Sequence, residues 1–389
     1  MQRRLLLQGL ATASLSAIFP LSGCAANKMK RDFSDVDHLL SAAVERGEIP
    51  GVVAAIGQGD AIEHRAIFGQ RALVPKREAM TWDTRFDMAS LTKATITAPA
   101  IMQLWEQGKL DLDAPVARYL PDFAQNGKSA ITVRHLLTHY SGLAPDVDLS
   151  TPWSGKEVAV EKALAAVPAG APGAHFVYSD INYVVLGLLV EHSSGLPLNV
   201  YAENNILSPI GMTSSGFLPA DELRPVIAPT QFDEAGIPLR GVVHDPTARR
   251  MGGVAGHAGL FSNAHDMALY ASSLLDRWNG RASNYPLRTD TVRLMTSHQS
   301  PGSADIRGLG WDIATHYSTP RGDLFPIGSF GHTGYTGTSL WMEPISASFV
   351  LILTNRVHPF DRNGKALVHL RHDVATAAAK ALGFFQAAR

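Results

Sequence analysis

Apolar residues at Val36, Leu39, Leu40, Ala43 and Val44 recur at three- and four-residue steps and stop before Gly47 and Pro50, which predicts an N-terminal helix. Gly51–Gly57 and Ala61–Phe68 follow as two short strand-like runs parted by Gly57-Gln58-Gly59-Asp60, so a β-hairpin is expected after the helix. From Ser90 to Leu110 the positions Ile96, Ala100, Ile101, Leu104 and Trp105 again keep helical spacing and end at Gly108, predicting a long, largely buried helix. The middle of the chain continues with helical patterns at Thr132–Thr138, Glu157–Val167, Asn182–Ser193 and Pro197–Leu207, separated by loops rich in Pro and Gly. Near the C-terminus the period changes. Gly308–Ile313, Phe330–Met342 and Ser348–Asn355 read as strands, and Leu367–Leu382 as a helix. Strands near both ends of the chain with helices between them predict an α+β protein with a helical insertion.

The first 23 residues carry a different pattern. Arg3 and Arg4 precede the uncharged stretch Leu5–Gly23, the arrangement of an export signal. Leu21-Ser22-Gly23-Cys24 closes that stretch at the only cysteine in the chain, and it resembles a bacterial lipobox. That resemblance implies cleavage before Cys24, lipidation of Cys24 and a membrane tether. Gln2-Arg3-Arg4-Leu5-Leu6-Leu7-Gln8 also resembles a relaxed twin-arginine signal. An uncleaved anchor from Leu5 to Asn27 is the alternative, weakened by Gln8, Pro20 and the many small residues. Either reading places the rest of the chain on the periplasmic side of a bacterial membrane. Ala25 and Ala26, with no Asp after Cys24, favour the outer membrane. Residues 24–34 then read as a linker and 35–385 as one domain, with 35–89 and about 295–385 forming an α/β part around a helical part, about 90–294.

Composition narrows the function. In 389 residues, 34 Lys and Arg stand against 35 Asp and Glu, and no basic run supplies the charge that nucleic-acid binding needs. A single cysteine excludes an internal disulfide, a thiolate zinc cluster and a redox pair. His135 and His139 stand four apart on a helix, but no glutamate lies between them in the order of a zinc protease, so packing is the expected role and no metal is assigned.

Ser90-Leu91-Thr92-Lys93 opens the long helix and puts a hydroxyl and an amine one turn apart on one face. Serine is a weak nucleophile unless a base lies beside it, and Lys93 would be that base if burial lowered its pKa. Tyr178-Ser179-Asp180 stands at the mouth of the helix Asn182–Ser193, and His332-Thr333-Gly334 lies in a strand-like segment.

In this order the three motifs resemble the superfamily of class C β-lactamases and low-molecular-mass penicillin-binding proteins, which also contains serine esterases. Leu136-Leu137-Thr138-His139-Tyr140-Ser141-Gly142-Leu143, Gly256-His257-Ala258-Gly259-Leu260-Phe261-Ser262 and Gly308-Leu309-Gly310-Trp311 extend the resemblance across about 35–385. It implies the β-lactamase/transpeptidase-like fold, an antiparallel sheet flanked by the N- and C-terminal helices, and no cofactor. It implies Ser90 as the acylated nucleophile, Lys93 as its partner base, and Tyr178 as a proton shuttle whose pKa the nearby amine would lower. The backbone N–H groups of Ser90 and Tyr335 would form the oxyanion hole, with Asp180, His332, Thr333 and Gly334 contacting substrate.

Two positions depart from the pattern. Asp180 stands where the family usually has Asn, and an ionised carboxylate would instead pair with Lys93 and keep it charged. His332 replaces the lysine of β-lactamases and would be mostly neutral at pH 7. Val243-His244-Asp245 and Gly252–His257 bring the chain nearest to penicillin-binding protein 4B-like proteins, with His257 either facing the cleft beside Ser90 or satisfied by the loop backbone. Trp153 and Tyr335 are candidate cleft walls. The expected activity is a D-alanyl-D-alanine carboxypeptidase acting on peptidoglycan peptides, with β-lactams as acylating ligands. A carboxylesterase for short acyl esters, a β-lactamase and a non-enzymatic penicillin-binding sensor are the alternatives.

Overall fold

The computed structural model describes residues 31–302, 304–361 and 364–385. The expected export signal and the expected lipidation site Cys24 lie outside the described residues. Among the described residues ten strands form: β1 Gly51–Gln58, β2 Ala61–Ala72, β3 Glu78–Ala79, β4 Phe86–Asp87, β5 Phe261–Ser262, β6 Ile306–Arg307, β7 Asp312–Ala314, β8 Phe330–Thr333, β9 Ser339–Glu343 and β10 Ser348–Thr354. Eight of them make one open antiparallel sheet in the order β3-β2-β1-β10-β9-β8-β7-β6, so the two ends of the chain meet where β1 pairs with β10.

That pairing sets Val53 against Leu353, Ala55 against Leu351 and Ile56 against Val350. Because side chains alternate along a strand, each central strand feeds two cores. Val53, Ala55, Leu340, Leu351 and Leu353 enter the core shared with the helical region. Val52, Ala54, Ile56, Trp341, Val350 and Ile352 face the helices Ser34–Glu45 and Gly364–Ala381 through Val36, Leu40, Leu370 and Val374. Burial on both faces explains why β1 and β10 read as unbroken apolar runs.

The hairpin and both terminal helices follow the sequence pattern, with β2 running four residues further than expected. Turns interrupt two predicted strands. Phe330–Met342 breaks at 334–338, where Gly337 takes φ +124° and the Gly334 N–H donates to Thr338 C=O at 2.7 Å. Of Gly308–Ile313 only Asp312 and Ile313 are strand, in β7; 308–311 form the turn from β6 to β7, with Gly310 at φ +92°. The regular structure of the region 90–294 is helical apart from β5, which pairs with β4 just ahead of that region, and it contains the capped helix Ala264–Trp278, which the spacing did not single out. Among the described residues no helix is long and apolar enough to cross a membrane.

The helix Asp180–Ser194 runs through the interior, with Ile181, Val184, Val185, Leu186 and Leu189 all buried. Gly256 packs against it so closely that a Cβ there would lie 2.0 Å from the Tyr183 carbonyl oxygen, and backbone cannot yield as a side-chain tip does. Gly256→Ala is therefore expected to destabilise the protein by at least about 2 kcal/mol in chemical denaturation. Gly216→Ala, which meets open space, should stay within about 0.5 kcal/mol of the parent protein. Equal stability of the two variants would contradict this packing.

Candidate active site

Ser90 follows a residue held in an unusual conformation. Ala89 takes φ +47°, a left-handed backbone that costs an alanine about 1–2 kcal/mol. Its N–H donates to Asp87 Oδ1 at 2.8 Å, while Thr336 Oγ1 donates to the Asp87 carbonyl at 2.8 Å and Thr338 Oγ1 to that of Met88 at 3.1 Å. The turn after β8 thus clamps the segment that carries Ser90. Asp87 also accepts the His244 N–H at 2.7 Å. Burial pushes its carboxyl up to about 6, against the opposing effect of these two N–H donors.

Beyond Ser90 the chain enters a helix whose first part is widened. The Ala98 N–H reaches the Lys93 carbonyl five residues back, and only from Ala98 to Glu106 is the winding regular. Such wide turns concentrate at functional sites. Here the turn carries Lys93, whose side chain is fully buried.

Lys93 Nζ lies 3.0 Å from Ser90 Oγ, 3.0 Å from the His257 carbonyl oxygen and 2.6 Å from Asp180 Oδ1. Tyr178 stands beside both Ser90 and Lys93, with Lys93 Nζ 5.2 Å from the centre of its ring. Burial alone would discharge the amine, but the Asp180 carboxylate and the Tyr178 oxygen outweigh it and hold the Lys93 pKa above its ordinary value. Lys93 is therefore an ammonium, not the neutral base that burial alone would give, and Asp180 pairs with it as the sequence allowed. For Tyr178 the balance goes the other way. Desolvation raises the phenol's pKa more than Lys93 lowers it, so Tyr178 rests protonated instead of acidified as expected.

His139 holds Tyr178 in place, a role its spacing from His135 did not reveal. It caps the helix Val133–Thr138 in a left-handed conformation, φ 62°, and stacks on the Tyr178 ring at 4.4 Å between centroids. Its Nδ1 accepts the Ser179 N–H at 3.0 Å, which puts the proton on Nε2. Burial, then Arg307 and Lys93, keep this ring neutral. His135 serves the N-terminus of the same helix, its Nδ1 accepting from the Thr132 N–H.

Behind Lys93 lies a second charged pair. His257 is fully buried, and its Nε2 meets Asp245 Oδ1 at 2.8 Å. It does not line the cleft; it touches the site through its carbonyl oxygen on Lys93, because Thr97 Oγ1 fixes the adjoining Gly256 carbonyl at 2.6 Å. Burial disfavours the imidazolium, yet Asp245 more than offsets this and raises the His257 pKa, while Asp245 is held well below the carboxylate range despite its own burial. Asp146 beside them is pushed up to about 6, chiefly by burial and then by the charges of Asp245 and Asp180. Asp180, Asp245 and His257 hold ligand atoms within 4.8 Å of one another. Lys93 Nζ, which pairs with Asp180, supplies a positive charge at that cluster.

In front of Ser90 opens a cleft of about 630 Å³ lined by Tyr178, His332, Thr333, Gly334 and Tyr335. The N–H groups of Ser90 and Tyr335 donate to no acceptor among the described residues, which leaves both available to an oxyanion. His332 Nδ1 donates to the Thr333 carbonyl at 2.9 Å. Burial first, then Arg307 and Lys93, keep its ring neutral, so it offers an Nε2 lone pair and no charge. Trp153 is not a wall of this cleft; its Nε1 donates to the Asp148 carbonyl and Arg250 covers its ring. Arg307 and Tyr317 do line the cleft, and no motif pointed to either.

The His257–Asp245 pair fixes a pH window. A raised His257 pKa stabilises the fold below the unfolded value of about 6.5 and loses that effect as pH rises through the folded value. A depressed Asp245 pKa stabilises above about 3.9 and is lost on acidification. The stability difference between the parent protein and Asp245→Asn should therefore be greatest near pH 5–6 and shrink toward pH 9, as denaturant titrations at each pH will show. A difference that grows with rising pH would rule out a charged His257.

The family profile described as "Beta-lactamase" matches residues 36–373. A protein of Salmonella agona named "Putative D-alanyl-D-alanine carboxypeptidase" is 32% identical over 310 residues, covering 72% of this chain and 71% of that one. Among solved structures, EstCE1, a hydrolase with promiscuous acyltransferase activity, superposes with TM-score 0.71 at 23% identity, covering 88% of this chain and 98% of its own. A penicillin-binding protein homologue from Pyrococcus abyssi gives 0.71 at 24% identity (91% and 78% covered), and a class C β-lactamase in complex with cefoxitin gives 0.71 at 18% (88% and 98% covered). The fold is theirs, and the chain belongs to the β-lactamase family of serine hydrolases.

Proposed function

We propose that the protein is a D-alanyl-D-alanine carboxypeptidase that hydrolyses peptidoglycan peptides through an acyl-enzyme on Ser90. The observation that carries this reading is the position of Ser90 Oγ, 3.0 Å from the Lys93 ammonium and beside the Tyr178 phenol, at the edge of a cleft with two unpaired N–H donors. Ser90 Oγ attacks the carbonyl carbon before the terminal D-alanine, and its proton passes to the Tyr178 oxygen. Tyr178 gives its own proton to the departing amine, so it ends as a phenol again. The Lys93 charge stabilises phenolate character during this exchange, which suits a tyrosine that rests protonated. Water then attacks the ester, losing a proton to Tyr178 while Tyr178 returns one to Ser90. The carbonyl oxygen lies against the Ser90 and Tyr335 N–H groups in both steps.

The relative named as a carboxypeptidase supports the substrate class. β-Lactams are the expected acylating ligands, because an amide mimic held in the same cleft meets the same nucleophile. Neutral His332 favours a second reading, hydrolysis of short neutral esters, which need no cation at that position. The proposal puts this activity at the cell envelope, on a lipid tether, a reading supported by the export-signal pattern and the lipobox-like run that ends at Cys24.

Intact mass with excess benzylpenicillin should show a persistent penicilloyl adduct, absent in Ser90→Ala, and an acyl-D-Ala-D-Ala peptide should release D-alanine. Penicillin consumed without an adduct would mean a β-lactamase. Rapid nitrophenyl ester turnover with penicillin untouched would favour the esterase, and an adduct without turnover of any substrate would leave a sensor. Tyr178→Phe should slow acylation by about 10²–10⁴-fold, the range for loss of a positioned proton carrier. A change of less than threefold would remove Tyr178 from the relay.

A further inference from the structure

We infer that Asp87 is the positioning residue of the oxyanion hole, its carboxylate holding the left-handed turn at Ala89 so that the Ser90 N–H and Oγ face the cleft. This deepens the acyl-enzyme reading and rests on it. Asp87 is 2% exposed and does not line the cleft, so it acts through the backbone around it.

Three segments meet at this residue. Oδ1 accepts the Ala89 N–H at 2.8 Å, Oδ2 accepts the His244 N–H at 2.7 Å, and the carbonyl accepts Thr336 Oγ1 at 2.8 Å. The last bond ties Asp87 to the turn whose Tyr335 N–H is the other oxyanion donor. That turn packs directly on the segment before Ser90: a Cβ on Gly334 would stand 2.6 Å from the Met88 carbonyl oxygen and 3.3 Å from the Ala89 Cβ. His244 lays its ring 5.6 Å from that of Tyr335, nearly parallel at 21°. Both oxyanion donors thus take their position from one residue.

The Ser90 N–H lies in the peptide plane that joins Ala89 to Ser90, so its direction follows the Ala89 backbone. Ala89 takes φ +47°, where an alanine is disfavoured by a factor of about 5–30. Without a partner for its N–H this residue would relax, swing the plane and carry the Ser90 N–H and side chain out of register with Tyr335. A charge-assisted bond, about twice as strong as a neutral one, resists that relaxation. The acceptor has to be an ionised acid. Two N–H groups point at the same side chain, and an amide or a protonated carboxyl would turn a donor toward one of them. Burial keeps water from replacing either bond.

The test is a double-substitution cycle on the full-length protein at pH 8, where Asp87, its carboxyl pushed up to about 6 by burial, is ionised. Acylation by excess benzylpenicillin, followed by intact mass, and Ser90-dependent hydrolysis of a short nitrophenyl ester read the site whichever substrate it prefers. Asp87→Ala should lower the acylation rate, or kcat for the ester, by about 5–30-fold, the factor the turn then forfeits, while KM moves less than threefold. In the Ala89→Gly background the same substitution should cost at least threefold less, because glycine enters the left-handed region without penalty and no longer needs the carboxylate. A residue that only stabilised the fold would behave in the opposite way, since glycine loosens the unfolded chain and would deepen the loss. Should Asp87→Ala fail to fold, Asp87→Val keeps the volume and the strand preference without an acceptor, and the same coupling is expected. Activity within twofold of the parent after loss of the carboxylate, or an equal cost in both backgrounds, would overturn the inference. Absence of any Ser90-dependent adduct or turnover in the parent protein would instead overturn the acyl-enzyme reading beneath it.

Discussion

The arrangement depends on one buried ammonium. Lys93 Nζ has no solvent contact, and an isolated charge in such a place would be neutralised or expelled. It stays charged because Asp180, Ser90, Tyr178 and the His257 carbonyl surround it, delivered by three separate segments of the chain. The widened turn at Lys93–Thr97 aims the side chain, the start of the helix Asp180–Ser194 supplies the carboxylate, and Gly256 allows the His257 carbonyl close enough to accept. Removing one partner would leave the others facing an uncompensated charge, which is why these three segments, far apart in sequence, must be fixed together.

The sheet supplies the rigidity for this. With both faces of β1 and β10 buried, the register cannot slip without exposing a core, so β8 and the turn that follows it have a fixed height above the helical region. That turn then performs two tasks. It presents the Tyr335 N–H to the cleft, and through Thr336 and Thr338 it holds the left-handed Ala89 just before Ser90. Strain at Ala89 persists because hydrogen bonds from two sides over-determine it.

The terminal helices, the hairpin and the C-terminal strands were legible because burial imposes a period on their apolar residues. The interrupted strands were not, since Gly337 and Gly310 break a segment without interrupting its apolar content. Ser90, Lys93 and Tyr178 were found by motif, and Asp180 as Lys93's partner by charge. His139 was read as a packing residue, and its ring is buried, but a pair of histidines four apart does not show that a left-handed cap turns that ring under Tyr178. Arg307 was invisible for a related reason. An arginine before Gly308-Leu309-Gly310-Trp311 gives no sign that it will be buried at the wall of the cleft. The protonation states of Lys93 and Tyr178 required the balance between burial and neighbouring charge, which spacing alone does not contain.

The central claim is that Lys93 is charged in the resting enzyme and that Tyr178, not Lys93, carries the proton. Carbon-13 NMR of protein labelled at the lysine ε-carbon, with the Lys93 signal assigned by its absence from Lys93→Arg, reads that charge directly. The account predicts an ammonium shift for Lys93 that stays flat from pH 6 to pH 9. A neutral-amine shift at pH 7 would contradict it and return the base role to Lys93.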